Sequence, residues 1–222
     1  MSDWPFGNLA PMSFDVVLAD PPWRFNLRSE KGEGKSPQAH YACMSLDDIK
    51  RLPVSQLCRG DALCFMWTTW PMIASATDDA ADCIRNADRM SVPAAHQVMR
   101  SWGFAPVTGG AWFKRTKNDA NWTGTGYVMR SACEPFLIGR MGSPLLKAQR
   151  GAFETEIDDG IAVRAAIREH SRKPDLVYAL IEKLCPRAMR GIELFARQRW
   201  TASDAIAWDA WGNEAEKFQA VA

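Results

Sequence analysis

The chain has 222 residues, 47% of them hydrophobic, and its 27 Lys and Arg against 26 Asp and Glu give a formal net charge of +1. This length suits one substantial α/β domain and is short for two. A net charge near zero excludes a polycation that coats nucleic acid without specificity, so any nucleic-acid site must be a local basic patch.

The cysteines and histidines give no sign of a metal site. The six cysteines form no C-x-x-C pair, and the three histidines lie far apart in the chain. This pattern predicts free thiols in a reducing cytoplasm. The start of the chain lacks a basic and then apolar signal segment, and no apolar run approaches a membrane span, so we expect a cytoplasmic protein without membrane contacts.

The first predicted strand ends in a rigid turn. Phe14 to Ala19 is apolar and β-branched but too short for a helix, and Asp20-Pro21-Pro22-Trp23 follows it. The prolines fix the backbone, which places a carboxylate, oriented carbonyls and a flat ring close together. A planar ligand with an amine, such as adenine, suits this set: its amine donates to Asp20 and the Pro21 carbonyl while its ring stacks on Trp23. The alternative is a turn whose tryptophan packs in the core.

A polar, basic stretch of residues 24–38 comes next and is predicted to be a loop. It is either a solvated connector or a strand-guiding arm whose cations meet phosphates, namely Arg24, Arg28, Lys31 and Lys35. Beyond it, Ser45 and Asp48 form a capping box that predicts the start of a short helix.

The middle of the chain alternates between strand and helix patterns. Asp61 to Thr69 predicts a second buried strand, and Met72 to Gly103 predicts a helical region interrupted near Pro93. Its second part places apolar residues at helical spacing, namely Ala95, Val98, Met99 and Trp102. This alternation predicts a mostly parallel sheet with helices on both faces.

Two further strands enclose a polar loop. Trp112 to Arg115 predicts a strand end, residues 116–131 predict a loop, and Glu134 begins a strand that continues to Gly139. The loop mixes basic and aromatic side chains, which suits a splayed-out nucleic-acid strand, namely Lys117, Trp122, Tyr127 and Arg130.

The last third of the chain begins with an irregular segment, residues 142–159. A basic segment, Ser171-Arg172-Lys173-Pro174, then precedes a helix predicted from Asp175 to Leu184, whose N-terminus favours an anion. Gly191 to Arg197 predicts a final buried strand. Beyond it, Asn213 and Glu214 place an amide and an acid, both with hydrogen-bond acceptors, next to each other.

These motifs, in this order, resemble the MT-A70 family of adenine methyltransferases, which includes the catalytic subunit of the eukaryotic messenger-RNA adenine methyltransferase and bacterial and phage members. The resemblance runs from Phe14 to Glu214 and is carried by four segments, namely Asp20-Pro21-Pro22-Trp23, Ser171-Arg172-Lys173-Pro174-Asp175, Glu193-Leu194-Phe195-Ala196-Arg197 and Trp208-Asp209-Ala210-Trp211-Gly212-Asn213-Glu214. It implies a Rossmann-like class I methyltransferase fold of permuted motif order, with the catalytic turn first and the cofactor strand last.

The resemblance also implies roles for individual residues, with S-adenosylmethionine as cofactor. The catalytic group is Asp20, Pro21, Pro22 and Trp23. The cofactor-binding group is Asp20, Lys173, Arg197, Asn213 and Glu214, with Asp3 and Trp4 as weaker candidates. The substrate-binding group is Tyr41, Arg24, Lys117, Arg130 and Glu134, and no metal ligand is implied.

The expected organisation is an N-terminal loop segment (1–13), a single methyltransferase domain (14–214) and a C-terminal tail (215–222). The expected function is methylation of the adenine N6 amine in DNA, because no zinc finger or long extension accompanies the domain. RNA is the alternative substrate, and a catalytically silent subunit of a methyltransferase complex is another possibility. A homodimer or a partner subunit fits either reading. A nucleotide hydrolase is disfavoured, since the chain has no Walker-type Gly-Lys-Ser/Thr loop.

Overall fold

The computed structural model describes residues 4–24, 43–74, 92–122, 124, 130–147, 162–167 and 172–218. Its elements, in chain order, are β1 (Phe14–Ala19), α1 (Leu46–Arg51), a 3-10 helix (Val54–Leu57), β2 (Cys58–Trp67), α2 (Trp70–Ala74), α3 (Ala94–Ser101), β3 (Ala105–Arg115), β4 (Cys133–Met141), β5 (Ala162–Ala166), α4 (Leu176–Leu184), β6 (Arg190–Leu194) and β7 (Ala207–Trp211).

The described strands form one seven-stranded sheet in the order β5-β3-β4-β2-β1-β6-β7. β1 pairs in parallel with β2 and β6, β6 with β7, and β3 with β5. β4 pairs antiparallel with both β2 and β3, so it alone runs against the other strands of this sheet. The start of β4 therefore lies at the same edge of the sheet as the carboxyl ends of the other six strands. The predicted mostly parallel, Rossmann-like architecture is confirmed.

Alternation along the central strands divides the core into two clusters. In β1, Val17 packs into one cluster, whereas Val16 and Leu18 pack into the other on the opposite face. Side chains of successive strand residues point to opposite faces, which explains this division. Helices α1, α2 and α3 contribute to the first cluster and α4 to the second, so helices cover both faces as predicted.

Helix α3 buries the face that its sequence predicted, since Ala95, Val98, Met99 and Trp102 have no exposed surface. The Trp102 indole N–H also donates to the Ile49 carbonyl at 2.8 Å and so ties the end of α3 to α1. The chain leaves α3 through Gly103 at φ +86°, a conformation that glycine adopts without a Cβ clash.

Ser45 caps the start of α1 as predicted, although the Asp48 carboxylate bonds the Ser45 hydroxyl rather than completing a capping box at its amide. The Ser45 hydroxyl accepts from the Asp48 amide at 3.1 Å and donates to the Asp48 carboxylate at 2.7 Å. These bonds satisfy one of the amide groups that every helix N-terminus leaves without a backbone acceptor.

Residues before β1 and after β7 pack against each other. Phe6 is buried and makes edge contacts with the rings of Trp4 and Trp211. Within residues 215–218, assigned to the predicted tail, Ala215 is buried and the Phe218 amide donates to the Arg197 carbonyl at 2.9 Å. This part of the tail is therefore packed onto the domain.

Several strand predictions differ from the structure. Strand β2 spans Cys58–Trp67 rather than Asp61 to Thr69, and β7 lies in a segment for which no strand was predicted. The final predicted strand was expected to reach Arg197, but β6 ends at Leu194 because Phe195 turns the backbone at φ +60°. Strand β5 was not predicted, because its residues Ala-Val-Arg-Ala-Ala follow a stretch without clear periodicity. Among the described helices, none is both long and apolar enough to cross a membrane.

A glycine at the β3–β4 pairing gives a test of the fold. A Cβ at Gly109 would lie 2.4 Å from the backbone oxygen of Phe136, which cannot swing aside as a side chain would. We expect Gly109→Ala to lower the free energy of unfolding by about 1–3 kcal/mol, the usual cost of overpacking. Chemical denaturation measures this change. Thr108→Ala, at the exposed neighbouring position, is the matched control and should cost clearly less.

Candidate active site

The Asp20-Pro21-Pro22-Trp23 turn follows the carboxyl end of β1. This strand lies between β2 and β6 in the sheet. The Asp20 amide donates to the Leu194 carbonyl at 3.3 Å, and the Trp23 amide donates to the Pro21 carbonyl at 2.8 Å. The Met44 amide donates to the Pro22 carbonyl at 3.0 Å. The turn is thus fixed by bonds to a neighbouring strand and to the start of the next described segment.

Trp23 is buried, with 4% of its surface exposed, and belongs to the core cluster of the α1–α3 face. Its indole N–H donates to the carbonyl of Trp67 at the end of β2, at 3.2 Å. This bond links the turn to the neighbouring strand end. In this structure Trp23 anchors the turn, and stacking of a ligand on its ring stays a prediction.

Four alternating charges form a charge chain beside the turn, namely Asp20, Lys173, Glu134 and Lys114. The Lys173 ammonium lies 2.8 Å from the Asp20 carboxylate and 2.8 Å from the Glu134 carboxylate. The Lys114 ammonium lies 2.7 Å from the other oxygen of Glu134. The side chains of Asp20, Lys173 and Glu134 are only 15–21% exposed, so these pairs are largely shielded from water.

Strand alternation explains how distant residues meet here. Trp67, Trp112 and Phe136 belong to the core cluster on the α4 face. Lys114 is two residues beyond Trp112 and Glu134 is two residues before Phe136, so both point to that same face. Because β4 is antiparallel, its first residues lie at the carboxyl edge, where Glu134 reaches the lysine that precedes α4.

The charge chain shifts the pKa values of its members. Burial raises the pKa of the Asp20 carboxyl above its usual range, against the opposing effect of the Lys173 ammonium. At Glu134 burial acts in the same direction, but Lys173 and Lys114 together outweigh it and lower the pKa to about 2. The two carboxylates raise the pKa of Lys173 although burial opposes them, so its ammonium stays protonated.

A cleft opens beside the charge chain, with about 380 Å³ of empty space including the part open to solvent. It mixes cationic, anionic and aromatic groups, and its walls are Leu18, Asp20, Trp67, Arg172, Lys173, Pro174, Val177, Tyr178, Glu193, Phe195, Arg197 and Gln198. The Trp67 indole N–H is buried and has no hydrogen-bond acceptor among the described residues. A buried donor without an acceptor is costly, so a ligand acceptor in the cleft would stabilise the site.

A second polar network forms one wall of the cleft. The Tyr178 hydroxyl donates to the Glu193 carboxylate and accepts from the Gln198 amide at 3.3 Å. Gln198 in turn accepts from Arg172 at 3.1 Å and donates to Asp175 at 3.0 Å. This network ties the end of β6 to the start of α4.

The pKa of Glu193 is raised to about 8, mainly by burial and further by the nearby Asp20 carboxylate, against the hydrogen bond from Tyr178 and the charge of Lys173. A wall of the cleft therefore carries an acid that holds its proton near neutral pH.

The described part of the last predicted motif forms a third charged group. The Arg197 guanidinium, on the cleft wall, lies 2.7 Å from the Glu214 carboxylate, and Lys217 pairs with the other oxygen of Glu214. Asn213 is exposed in the turn after β7. The structure thus brings two of the predicted cofactor-binding residues, Arg197 and Glu214, into direct contact.

A family model described as MT-A70 matches residues 14–214. The chain belongs to the MT-A70 family. The matched range includes the Asp20 turn, the Lys173 segment and the Arg197–Glu214 pair. The family match therefore covers the residues that form the cleft.

Individual relatives match along most of the chain. It is 30% identical over 204 residues to an N(6)-adenosine-methyltransferase MT-A70-like protein of Arabidopsis thaliana, covering 91% of this chain and 24% of the relative. It is 28% identical to the N(6)-adenosine-methyltransferase catalytic subunit METTL3 of Homo sapiens, covering 83% and 26%. It is 27% identical to the Type II methyltransferase M.MunI of Mycoplasma sp, covering 94% and 81%. The chain thus spans about a quarter of the N(6)-adenosine relatives and most of M.MunI.

The predicted site residues of this family member fall into three groups. Asp20, Lys173 and Glu134 meet directly, and Arg197 lines the same cleft. The basic residues predicted to contact nucleic acid are exposed and are not among the residues that line this cleft, namely Arg24, Lys117 and Arg130. Trp4 packs against Phe6, its indole N–H donates to the Leu9 carbonyl, and it does not line the cleft. The remaining candidates lie outside the described residues, namely Asp3, Arg28, Lys31, Lys35 and Tyr41.

Several residues of the cleft have no role predicted from the sequence, among them Glu193 and Tyr178. An acid inside an otherwise buried strand was the available signal, because such a group needs a partner. Gln198, by contrast, gave no sequence signal, since its network requires the turn at Phe195 that follows β6.

The raised pKa of Glu193 gives a test of this wall. Between its usual value of 4.5 and about 8, the folded protein holds one proton that the unfolded chain has lost. Stability from Glu193 is therefore present at low pH and is lost as the pH rises through about 8. Glu193→Gln should remove this loss, which is at most about 1.4 kcal/mol per pH unit for one proton.

Denaturant unfolding of both proteins across about pH 5 to pH 9 measures the two slopes. Glu134 stays ionised in both states above its ordinary range, so it adds nothing to the slope in the upper part of this window. Equal slopes for the two proteins would show that Glu193 is not the group that titrates.

Proposed function

We propose that this protein is an S-adenosylmethionine-dependent methyltransferase that modifies the N6 amine of adenine in DNA. The observation that carries the proposal is the Asp20 carboxylate, fixed by a proline turn and held by Lys173 at a cleft of mixed charge. Membership of the MT-A70 family supports the same chemistry.

The cleft has the groups that the cofactor requires. A molecule with a carboxylate, an ammonium, a ribose diol and a flat base needs cations, acids, diol acceptors and apolar surface. Lys173 and Arg172 provide the cations, and Asp20 provides an acid. Phe195 provides an aromatic surface in the cleft wall. Glu214, which pairs with the cleft residue Arg197, and the adjacent Asn213 do not line the cleft themselves, but they carry acceptors for the diol beside it. The residues present therefore fit the cofactor.

S-adenosylmethionine, when bound, supplies a methyl group whose bond to sulfur breaks as its bond to the adenine nitrogen forms. The protein's own task is to make that nitrogen a better nucleophile, because its lone pair is delocalised into the ring. Asp20 and the Pro21 carbonyl accept hydrogen bonds from the amine, which favours a pyramidal nitrogen with an available lone pair. These bonds strengthen as positive charge develops on the nitrogen, which then releases one proton to water at the open side of the cleft.

Positioning adds to this electrostatic effect. The turn is fixed by backbone bonds, and Asp20 is held by Lys173, so neither acceptor has to reorganise during the reaction. An adenine in a duplex must first leave the stack, at a cost of a few kcal/mol.

DNA is proposed as the substrate because the Type II methyltransferase M.MunI matches along 94% of this chain, against 91% and 83% for the two N(6)-adenosine-methyltransferases named above. RNA is the second candidate, because the two N(6)-adenosine-methyltransferases are 30% and 28% identical to this chain and M.MunI is 27% identical.

Methylation assays test the chemistry. Purified protein with S-adenosylmethionine should form N6-methyladenine in one of single-stranded DNA, duplex DNA or RNA, as measured by mass spectrometry. Asp20→Asn keeps the size of the side chain but loses the carboxylate, and it should reduce the rate by at least about 100-fold. Asp48→Asn, an exposed site in α1, is the matched control.

The same assay has outcomes that contradict the proposal. Product in RNA alone would replace DNA as the substrate. Cofactor binding without product in any of the three nucleic acids would favour a silent subunit, and activity retained by Asp20→Asn would remove the proposed role of Asp20.

Cofactor binding tests the residues after β7. Asn213→Ala removes an exposed amide proposed to bind the ribose diol, and we expect the dissociation constant for S-adenosylmethionine to rise about 3- to 10-fold, the effect of one hydrogen bond. Isothermal titration calorimetry measures it. Gln56→Ala removes an exposed amide at the opposite edge of the sheet and should leave the dissociation constant unchanged.

A further inference from the structure

We propose that Trp70 is a stacking site for a nucleobase next to the target adenine. The proposal rests on the proposed function for the identity of the target, and on the geometry around Trp70 for the site itself. Neither the sequence motifs nor the comparisons assign a role to this residue.

Trp70 is the most exposed aromatic side chain among the described residues, with 47% of its surface in solvent. It begins α2, three residues after β2 ends, and so lies at the edge of the sheet that carries Asp20. Its indole N–H donates to the Ser131 hydroxyl at 3.2 Å. The ring is therefore held in place by its edge while much of its surface stays accessible, which lowers the entropic cost of stacking a base on it.

The anchor of Trp70 continues into the charge chain. The Ser131 hydroxyl donates to the carbonyl of Cys133, the residue before Glu134, at 2.5 Å. The Ser131 carbonyl accepts from the Gly124 amide at 2.9 Å, and the Trp122 ring packs on Gly124, where a Cβ would lie only 2.8 Å from it.

The path from Trp122 then returns to the cleft. The Lys114 ammonium lies 5.2 Å from the centre of the Trp122 ring and pairs with Glu134, which pairs with Lys173 beside Asp20. A continuous set of contacts thus connects the exposed indole with the catalytic turn.

An exposed cation next to the anchor of Trp70, and a second one on the turn after β3, favour a nucleic-acid strand as its occupant. Arg130, the residue before Ser131, is exposed, and Lys117 is exposed on the turn that follows β3. Aromatic rings that alternate with exposed cations are the usual surface for a single strand, whose bases stack while its phosphates meet the cations. A base displaced beside the target would meet the indole without any specific hydrogen bond, so we expect little preference among the four bases at this site.

Binding measurements with Trp70→Ala test the site. The probe is a short labelled oligonucleotide with a single adenine, prepared as single-stranded DNA and as RNA, with fluorescence anisotropy as readout. We expect Trp70→Ala to bind the preferred strand about 5- to 100-fold more weakly and Trp70→Phe to recover part of the loss. Met189→Ala, which removes an exposed apolar side chain next to the amino end of β6, should bind as the wild type does.

A strand with an abasic position beside the adenine identifies stacking itself. For the wild type, the missing base on one side of the adenine should weaken binding about as much as Trp70→Ala does. For Trp70→Ala, the same missing base should have little further effect, because the two changes remove one contact. In methylation assays KM for the strand should rise with kcat nearly kept. Circular dichroism and the unfolding midpoint verify that the variant folds.

The outcomes separate this inference from the proposed function. If the wild type forms methyladenine and Trp70→Ala binds the oligonucleotide as tightly as the wild type does, the stacking site alone is overturned. Binding that depends on Trp70 in a protein that forms no methyladenine supports the site and overturns the proposed function. Independent losses from Trp70→Ala and the abasic strand, or an effect of Trp70→Ala on self-association alone in sedimentation, overturn the stacking site in favour of a protein contact.

Discussion

The Lys173 ammonium between the Asp20 and Glu134 carboxylates is the interaction on which the site depends. Each of these charges is largely shielded from water, and a shielded charge is costly unless opposite charges surround it. The alternation continues to Lys114, so the four charges sum to zero. Removing one member would leave a neighbour with an uncompensated charge, which makes the chain an interdependent unit rather than a set of separate pairs.

This unit depends in turn on one irregularity of the sheet. If β4 ran parallel to its neighbours, Glu134 would start at the opposite edge, far from Asp20 and Lys173. Because β4 is antiparallel, Glu134 near its start pairs with Lys173, the lysine before α4, which also pairs with Asp20 after β1. The second network, from Glu193 through Tyr178 to Gln198, closes the cleft on its other side and joins β6 to α4.

The sequence predicted the elements whose signals are local. The apolar run of β1, the helical spacing on α3 and the Ser45 cap each depend on neighbouring residues, and each is confirmed. Strand ends were predicted less well. Arg197 was expected at a strand end, but the left-handed turn at Phe195 ends β6 earlier, and a positive φ at a non-glycine residue has no reliable sequence signal.

By itself, the sequence determined the family and the chemical groups that the Asp20-Pro21-Pro22-Trp23 turn carries, because both lie in the order of residues along short segments. Only the tertiary structure decided that Lys173 bridges two carboxylates, that Trp23 is buried beneath the turn, and that Glu193 holds a proton near neutral pH. These properties depend on burial and on distances between residues remote in sequence. Desolvation and Coulomb interactions are set by the packed neighbourhood, which a linear pattern does not contain.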